Sequence, residues 1–270
     1  MTYNVFERSV EDGSPVELYE FNRGSLAWRF TSADDGVIFN TKSYAAEPME
    51  RTAIESTQER QRSSIQIKVK RDNVIADMWR VSPPTDIITV TVTRYHRGDT
   101  EGVVIWMGRV TNVEWSGAMS TLNCEPVFTS MQRPGLRRNY QRQCPHVLYS
   151  GACGVSMAAE KVTGPVAAIS GTNLTVTGLN AYADGYFSGG FVEWETVTGI
   201  FERRFISSHV GNVITLAQAF YGIAIGQSVN AYPGCDHTLT TCTSKFSNKD
   251  NYGGFPYIPI KNPMGGESVF

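Results

Sequence analysis

Four cysteines in two pairs constrain this chain more than any other feature. Cys144 and Cys153 form a C-x8-C pair in QRQCPHVLYSGACGV, and Cys235 and Cys242 a C-x6-C pair in YPGCDHTLTTCTS. The stretch between them is patterned as a small β-module, so any fold that unites the four thiols must bring that module's two ends together. A link across so long a loop would strongly restrict the unfolded chain. Spacing alone leaves four readings open. They are an iron–sulfur cluster, a zinc site (with spacings wider than the usual C-x2-C knuckle), disulfides, and independent buried thiols. Glycines 151, 154 and 234 flank the cysteines and let backbone N–H groups approach sulfur. His146 and His237, each two residues after a cysteine, read as neighbours of the site or surface residues rather than ligands.

A length of 270 residues favours two domains. Charged residues make up only 19% and the net charge is -2, which argues against a chain built to bind nucleic acid. No apolar run reaches the roughly 18 residues of a membrane helix. The N-terminus is acidic and broken by Pro15, without the basic-then-apolar order of a signal peptide, so folding in a reducing cytosol is expected. Five cysteines are too few, and odd in number, for a disulfide-stapled scaffold.

The fold class reads as all-β. Residues 1–135 are expected to form a β-barrel domain with one short helix, residues 136–250 a four-cysteine domain with a barrel-like β insert, and residues 251–270 an extended arm. In the first part, residues 1–15 read as a polar arm. Strands are predicted over 18–21, 26–30, 37–39, 64–70, 87–95, 103–110, 113–115 and 121–128. Ile65, Ile67 and Val69 alternate with polar residues, as in a half-buried strand. Asp72 is the expected cap of a helix through Arg80, ended by Pro83-Pro84. Cys124 shares a strand face with Leu122 and reads as a buried core thiol. In the second part, strands are predicted over 162–169, 174–177, 190–194, 201–207, 213–216 and 226–231, enough for a small barrel. The tail from residue 245 is rich in Gly, Pro, Asn and aromatics and reads as a draped arm.

Arg133, Arg137, Arg138 and Arg142 crowd the junction before Cys144. Offsetting the charge of a thiolate centre, or a subunit contact, ranks first for them. A solvated linker comes second and a phosphate-binding patch third.

Several stretches together resemble a known family: VSPPTD, GRVTNVEW, CEPVFTSMQRPGLRRNYQRQCPHVLY, GCDHTLTTC and KFSNKDNYGGFPYIP. They resemble the tail hub (tail-tip or baseplate hub) family of long-tailed phages, prophages and gene transfer agents. The cysteine arrangement is also similar to that of the tail-tip protein L of lambda-like phages. The resemblance implies that Cys144, Cys153, Cys235 and Cys242 bind an iron–sulfur cluster, [4Fe–4S] in form, with zinc as the alternative. It further implies a structural protein of the virion at the distal end of the tail, assembled in the bacterial host cytoplasm. There a ring of its own copies, three as the expected number, would join the distal tail protein to the central tip or fibre protein around the channel for the tape measure protein and DNA. Neither a membrane nor specific nucleic-acid binding is expected.

The alternative is a tail-tip cell-wall-degrading cysteine hydrolase using Cys144 with His146. No G-x-S-x-G, H-E-x-x-H or P-loop pattern occurs, and neither Cys–His neighbour pair repeats a known signature, so no catalytic residue is assigned.

Overall fold

The computed structural model describes residues 3–11, 13–55, 63–131, 135 and 138–259. Arg133, Arg137 and the arm beyond residue 259 lie outside these described residues. The chain divides into two compact units, Met1–Arg133 with Val197–Ile200, and Pro134–Thr196 with Phe201–Phe270. No described helix is long and apolar enough to cross a membrane.

The first unit is built on β1 (Pro15–Arg23), β2 (Leu26–Thr31), β3 (Val37–Phe39), β4 (Lys42–Ala46), β5 (Glu50–Arg51), β6 (Ile65–Lys70), β7 (Thr89–His96), β8 (Gly102–Ser116) and β9 (Met119–Pro126). These form one sheet in the order β3-β4-β2-β1-β7-β8-β9-β6-β5. Its order runs from one edge strand to another, so the barrel expected of this half is an open sheet, whereas the barrel expected of the insert in the second half does close. β6 has the strict alternation its sequence predicts, with Ile65, Ile67 and Val69 buried. β1 is covered on both faces in turn. Val16 and Leu18 pack with Val37, Tyr44 and Tyr95, whereas Tyr19 and Phe21 enter the main core with Ile67, Val92 and Leu122. The stretch read as two strands over 103–110 and 113–115 is the single strand β8. A register shift against β9 between Val110 and Asn112 sets Thr111 apart from the ladder, as a bulge does. The Thr111 hydroxyl donates to the Asn123 carbonyl at 3.0 Å.

Two short α-helices occur among its described residues where one was expected. α1 (Tyr3–Glu7) occupies the supposed polar arm. It docks on β7 because Glu7 lies 2.8 Å from His96 Nε2 and accepts from Arg94 at 3.2 Å, while the Tyr3 and Phe6 rings pack on His96. α2 spans Val74–Asp77 and is capped by Asn73, not Asp72: the Asn73 side chain accepts from Ile75 N–H at 2.9 Å. An amide oxygen placed this way satisfies a donor the helix leaves unpaired.

Glu17 joins three strands of this unit. It accepts from Arg51 Nε at 2.8 Å, Arg94 Nη2 at 3.0 Å and the Tyr19 hydroxyl at 2.9 Å. Burial pushes its pKa up, but hydrogen bonds from Arg51, Arg94 and Tyr19 more than offset this and hold it below the ordinary 4.5. A carboxylate with a depressed folded pKa stabilises the fold above its unfolded pKa, and that contribution is lost as pH falls through the folded value. Wild type is therefore expected to lose urea stability on acidification from neutrality through and below 4.5 more steeply than Glu17→Gln. Parallel curves for the two proteins would refute the role given to this network.

The second unit holds β10 (Val162–Ser170), β11 (Asn173–Val176), β12 (Phe191–Val197), β13 (Ile200–Val210), β14 (Val213–Leu216) and β15 (Ser228–Tyr232), apart from the end residues Val197 and Ile200. They close into a barrel in the order β10-β11-β14-β13-β12-β15. Val166, Leu174, Trp194, Ile206, Ile214 and Val229 fill it, and Leu179 and Phe187 enter the core from the connection before β12. On the same face of β13 as Ile206, Glu202 and Arg204 form a buried pair at 3.2 Å. α3 (Leu239–Ser244), which follows the barrel, was not foreseen in the sequence.

Candidate metal centre

The barrel sets the site because it starts and ends beside the cysteines. β15 runs into Pro233, Gly234 and Cys235, while β10 begins shortly after Cys153. Gly234 crosses the chain at Ser188 and Gly189 so closely that a Cβ there would lie 2.2 Å from the Gly189 carbonyl carbon and from the Ser188 oxygen. Only a glycine lets the chain leave the barrel along this line. Tyr149, between the first two cysteines, reaches the same exit. Its hydroxyl donates to the Pro233 carbonyl at 2.7 Å, and its ring packs edge-on to Phe191 and Tyr232.

The four cysteines line one pocket, together with Leu148, Val155, Phe246, His146, His237 and Asn248. Cys153 and Cys242 are buried, Cys144 and Cys235 half-buried, and all are free thiols. Cys153 sits in a tight turn, donating its N–H to the Ser150 carbonyl at 3.0 Å. Cys242 is carried by α3, whose cap Thr238 accepts from Thr241 N–H at 3.2 Å and is held in turn by Asp236. The two pairs are tied directly, because Cys144 N–H donates to the His237 carbonyl at 2.9 Å.

Polar hydrogens surround the sulfurs. His237 N–H points at Cys235 Sγ from 3.3 Å and Gly253 N–H at Cys144 Sγ from 3.4 Å. The Asn248 amide donates to the Cys153 carbonyl at 2.6 Å and lies 3.9 Å from its sulfur. The Cys242 thiol donates to the Asn248 carbonyl at 3.2 Å. Asn248 thus joins one member of each pair, a role the sequence reading did not assign, although the residue lies inside the KFSNKDNYGG stretch. The start of the presumed arm also belongs here. The Tyr252 hydroxyl donates to the Arg142 carbonyl at 2.6 Å and Phe255 N–H to the Gln141 carbonyl at 2.9 Å. Among the described residues, three of the five non-glycine residues with positive φ, Tyr149, His237 and Ser247, lie in these segments. Such conformations cost free energy and concentrate at functional sites.

The thiols act on one another. Burial pushes the Cys235 thiol up, His237 N–H draws it back, and charge on Asp236, Cys153 and Cys144 pushes it up further. Cys242 is raised by burial and then by charge on the other three. A cation that binds such a set displaces its protons, because coordinated thiols are deprotonated. The donor set fits a metal–sulfur centre: four soft sulfurs, apolar walls and N–H donors aimed at sulfur. Among the described residues no three His, Cys, Asp or Glu groups are drawn together to hold a single metal ion.

Cys124 is elsewhere, in the core of the first unit, where burial pushes its thiol up. His146 and His237 both line the pocket, but His237 acts through its backbone, and His146 accepts from Arg138 at 3.0 Å. Arg138 and Arg142 are exposed.

Comparison with known proteins first defines the class. The fold is that of a chain in the structure described as the virion of a native gene transfer agent particle, with a TM-score of 0.82 over 100% of this chain and 99% of that one at 19% identity. Residues 17–156 match the family described as baseplate hub protein, N-terminal attachment domain. That match covers more than half of the sequence, and the chain belongs to this phage baseplate hub family. Residues 185–262 match a second family, described as phage conserved hypothetical protein BR0599. The first match contains Cys144 and Cys153 and the second Cys235 and Cys242, so the pocket draws on both. An uncharacterized protein of Xylella fastidiosa (strain 9a5c) is 29% identical over 182 residues, covering 62% of this chain and 38% of that protein. The chain therefore spans well under half the length of that relative.

Proposed function

We propose that this chain is a structural hub at the distal end of a phage-type tail, organised by an iron–sulfur cluster on Cys144, Cys153, Cys235 and Cys242. The observation that carries this reading is the convergence of both cysteine pairs, across the whole barrel insert, on one pocket in which backbone N–H groups point at Cys235 and Cys144 Sγ. Membership of the baseplate hub family supports the tail assignment. The cluster, [4Fe–4S] in form, supplies a cross-link among the junction before Cys144, both ends of the barrel and the segment around Tyr252. In this role copies of the chain close a ring, three as the expected number, between the distal tail protein and the central tip or fibre protein. The tape measure protein and DNA pass through it. Rings of this kind are built from head-to-tail interfaces that close by rotation.

The hydrolase alternative requires a thiol within reach of an imidazole. Among the described residues backbone N–H groups point at Cys235 and Cys144, the Asn248 amide lies beside Cys153, the Cys242 thiol donates to the Asn248 carbonyl, and no hydrogen bond joins a sulfur to a histidine ring. A structural centre predicts that Cys153→Ser blocks completion of particles, not a catalytic step. In a particle-producing strain, this variant is expected to accumulate the chain while finished, infectious or transducing particles fall at least about a hundredfold. Normal particle yield from Cys153→Ser would refute the structural role.

A further inference from the structure

Lys245 follows α3 and lies half-buried beside the pocket. Its ammonium donates to the Gly234 carbonyl, next to Cys235, at 2.8 Å and also to the Tyr186 carbonyl. It sits 4.3 Å from the centroid of the Tyr186 ring, with the Phe246 ring at 5.4 Å. Two carbonyls and an aromatic face solvate the charge without neutralising it. No ion pair to a carboxylate is formed by Lys245 among the described residues, although Glu160 and Asp236 are near enough to be felt. Burial pushes its pKa down, and charge on Cys235 is the foremost influence holding it up, ahead of Glu160 and Asp236. A partly desolvated ammonium without a carboxylate is costly unless another negative charge faces it. The thiolates of a loaded centre provide that charge.

We propose that Lys245 is the positioning cation of this centre, offsetting its negative charge while fixing the Cys235 loop to the barrel. This rests on the reading of the four cysteines as metal ligands. It assigns to one lysine a role that the sequence suggested for the junction arginines. The expected substrate of this charge is a centre with net negative charge, which four thiolates around a [4Fe–4S] core have and four neutral thiols have not.

The test uses the full chain purified without oxygen, as wild type, Lys245→Gln, Lys245→Met and Lys245→Arg. Iron and sulfide per chain are measured first, then the midpoint potential and the rate of iron loss to a chelator. Loss of the cation disfavours the more negative, reduced form. Lys245→Gln and Lys245→Met are expected to shift the reduced-to-oxidised ratio at a fixed potential about tenfold toward oxidised, about 59 mV for a one-electron couple. Both should release iron about tenfold faster, and Lys245→Arg should stay near wild type. Lys245→Gln keeps a donor, so a wild-type potential in that variant, with iron bound, would mean a purely mechanical role and overturn the proposal. If Lys245→Met fails to fold, Lys245→Gln and Lys245→Arg still decide it. A wild-type chain with neither iron nor sulfide would instead remove the reading of the site, and this inference with it.

Discussion

If Cys144, Cys153, Cys235 and Cys242 hold the proposed cluster, stripping it is expected to open residues 138–160 and 233–259 while the barrel strands stay closed. In hydrogen exchange, backbone amides of these two segments should lose at least about a hundredfold of protection, about 2.7 kcal/mol of opening free energy. The asymmetry follows from what holds each part. The barrel is closed and filled by its own apolar core, so it needs nothing from the thiols. The cysteine segments contain turns, one six-residue helix and three left-handed non-glycine residues, and they are joined chiefly by hydrogen bonds that converge on the sulfurs or on neighbouring carbonyls. Without the cross-link, the four thiols keep their protons and the positive-φ positions at Tyr149, His237 and Ser247 are free to relax. Chelation under non-reducing conditions and Cys242→Ser should give the same pattern. Uniform loss of protection across β10–β15 would show that the centre holds the barrel too, and unchanged protection would show that it holds nothing.

Trp194→Ala is expected to destabilise the second unit by about 3–5 kcal/mol, the usual cost of deleting a large aromatic from a core. Trp194 is the largest fully buried side chain among the described residues. Its indole N–H donates to the Tyr221 carbonyl at 3.2 Å and its ring meets Phe220 edge-on. Arg204, buried and paired with Glu202, lies 5.8 Å over the indole and would lose that face as well. Truncation thus opens a cavity, leaves a carbonyl without its donor and exposes a buried ion pair to a void. The urea midpoint of the near-ultraviolet circular dichroism change would report it. A loss below about 1 kcal/mol would mean that the barrel collapses around the gap, contrary to a rigid closed core.

Much of this architecture can be read from local pattern. The alternation of Ile65, Ile67 and Val69, the run Val213–Leu216 and the six strand segments between the cysteine pairs all follow from period-2 burial and turn residues. Cys124 was legible as a core thiol for the same reason. What escaped has little pattern of its own. β4, KSYAA, buries only Tyr44, and β5 is two residues long. Both exist because neighbouring strands offer free hydrogen-bonding edges. α3 is rich in threonine, a poor helix former. It forms because Thr238 caps it and Asp236 orients the cap. α1 forms on a surface that His96 and Arg94 provide from ninety residues away, which no local window contains. Asp72 and Asn73 are equally suitable caps by side chain, and the extended backbone at Asn73 places it, one residue later, at the helix entry.

The site divides in the same way. The cysteines, their flanking glycines and the neighbouring histidines are visible as residues and spacings. That they face one pocket depends on barrel closure, and no spacing rule contains that. Asn248, Gly253 and Lys245 reach the sulfurs or their loops only after α3 has turned the chain back. The junction arginines had the more conspicuous charge, but those described are exposed, and the half-buried cation is a lone lysine in a turn.

The most direct test is the metal and acid-labile sulfide content of the full chain purified without oxygen, read with its ultraviolet–visible spectrum. About four iron and four sulfide per chain, with a broad band at roughly 400 nm that disappears in Cys153→Ser, is the result expected of a [4Fe–4S] centre. About one zinc per chain, or four reactive thiols with no metal, would contradict it.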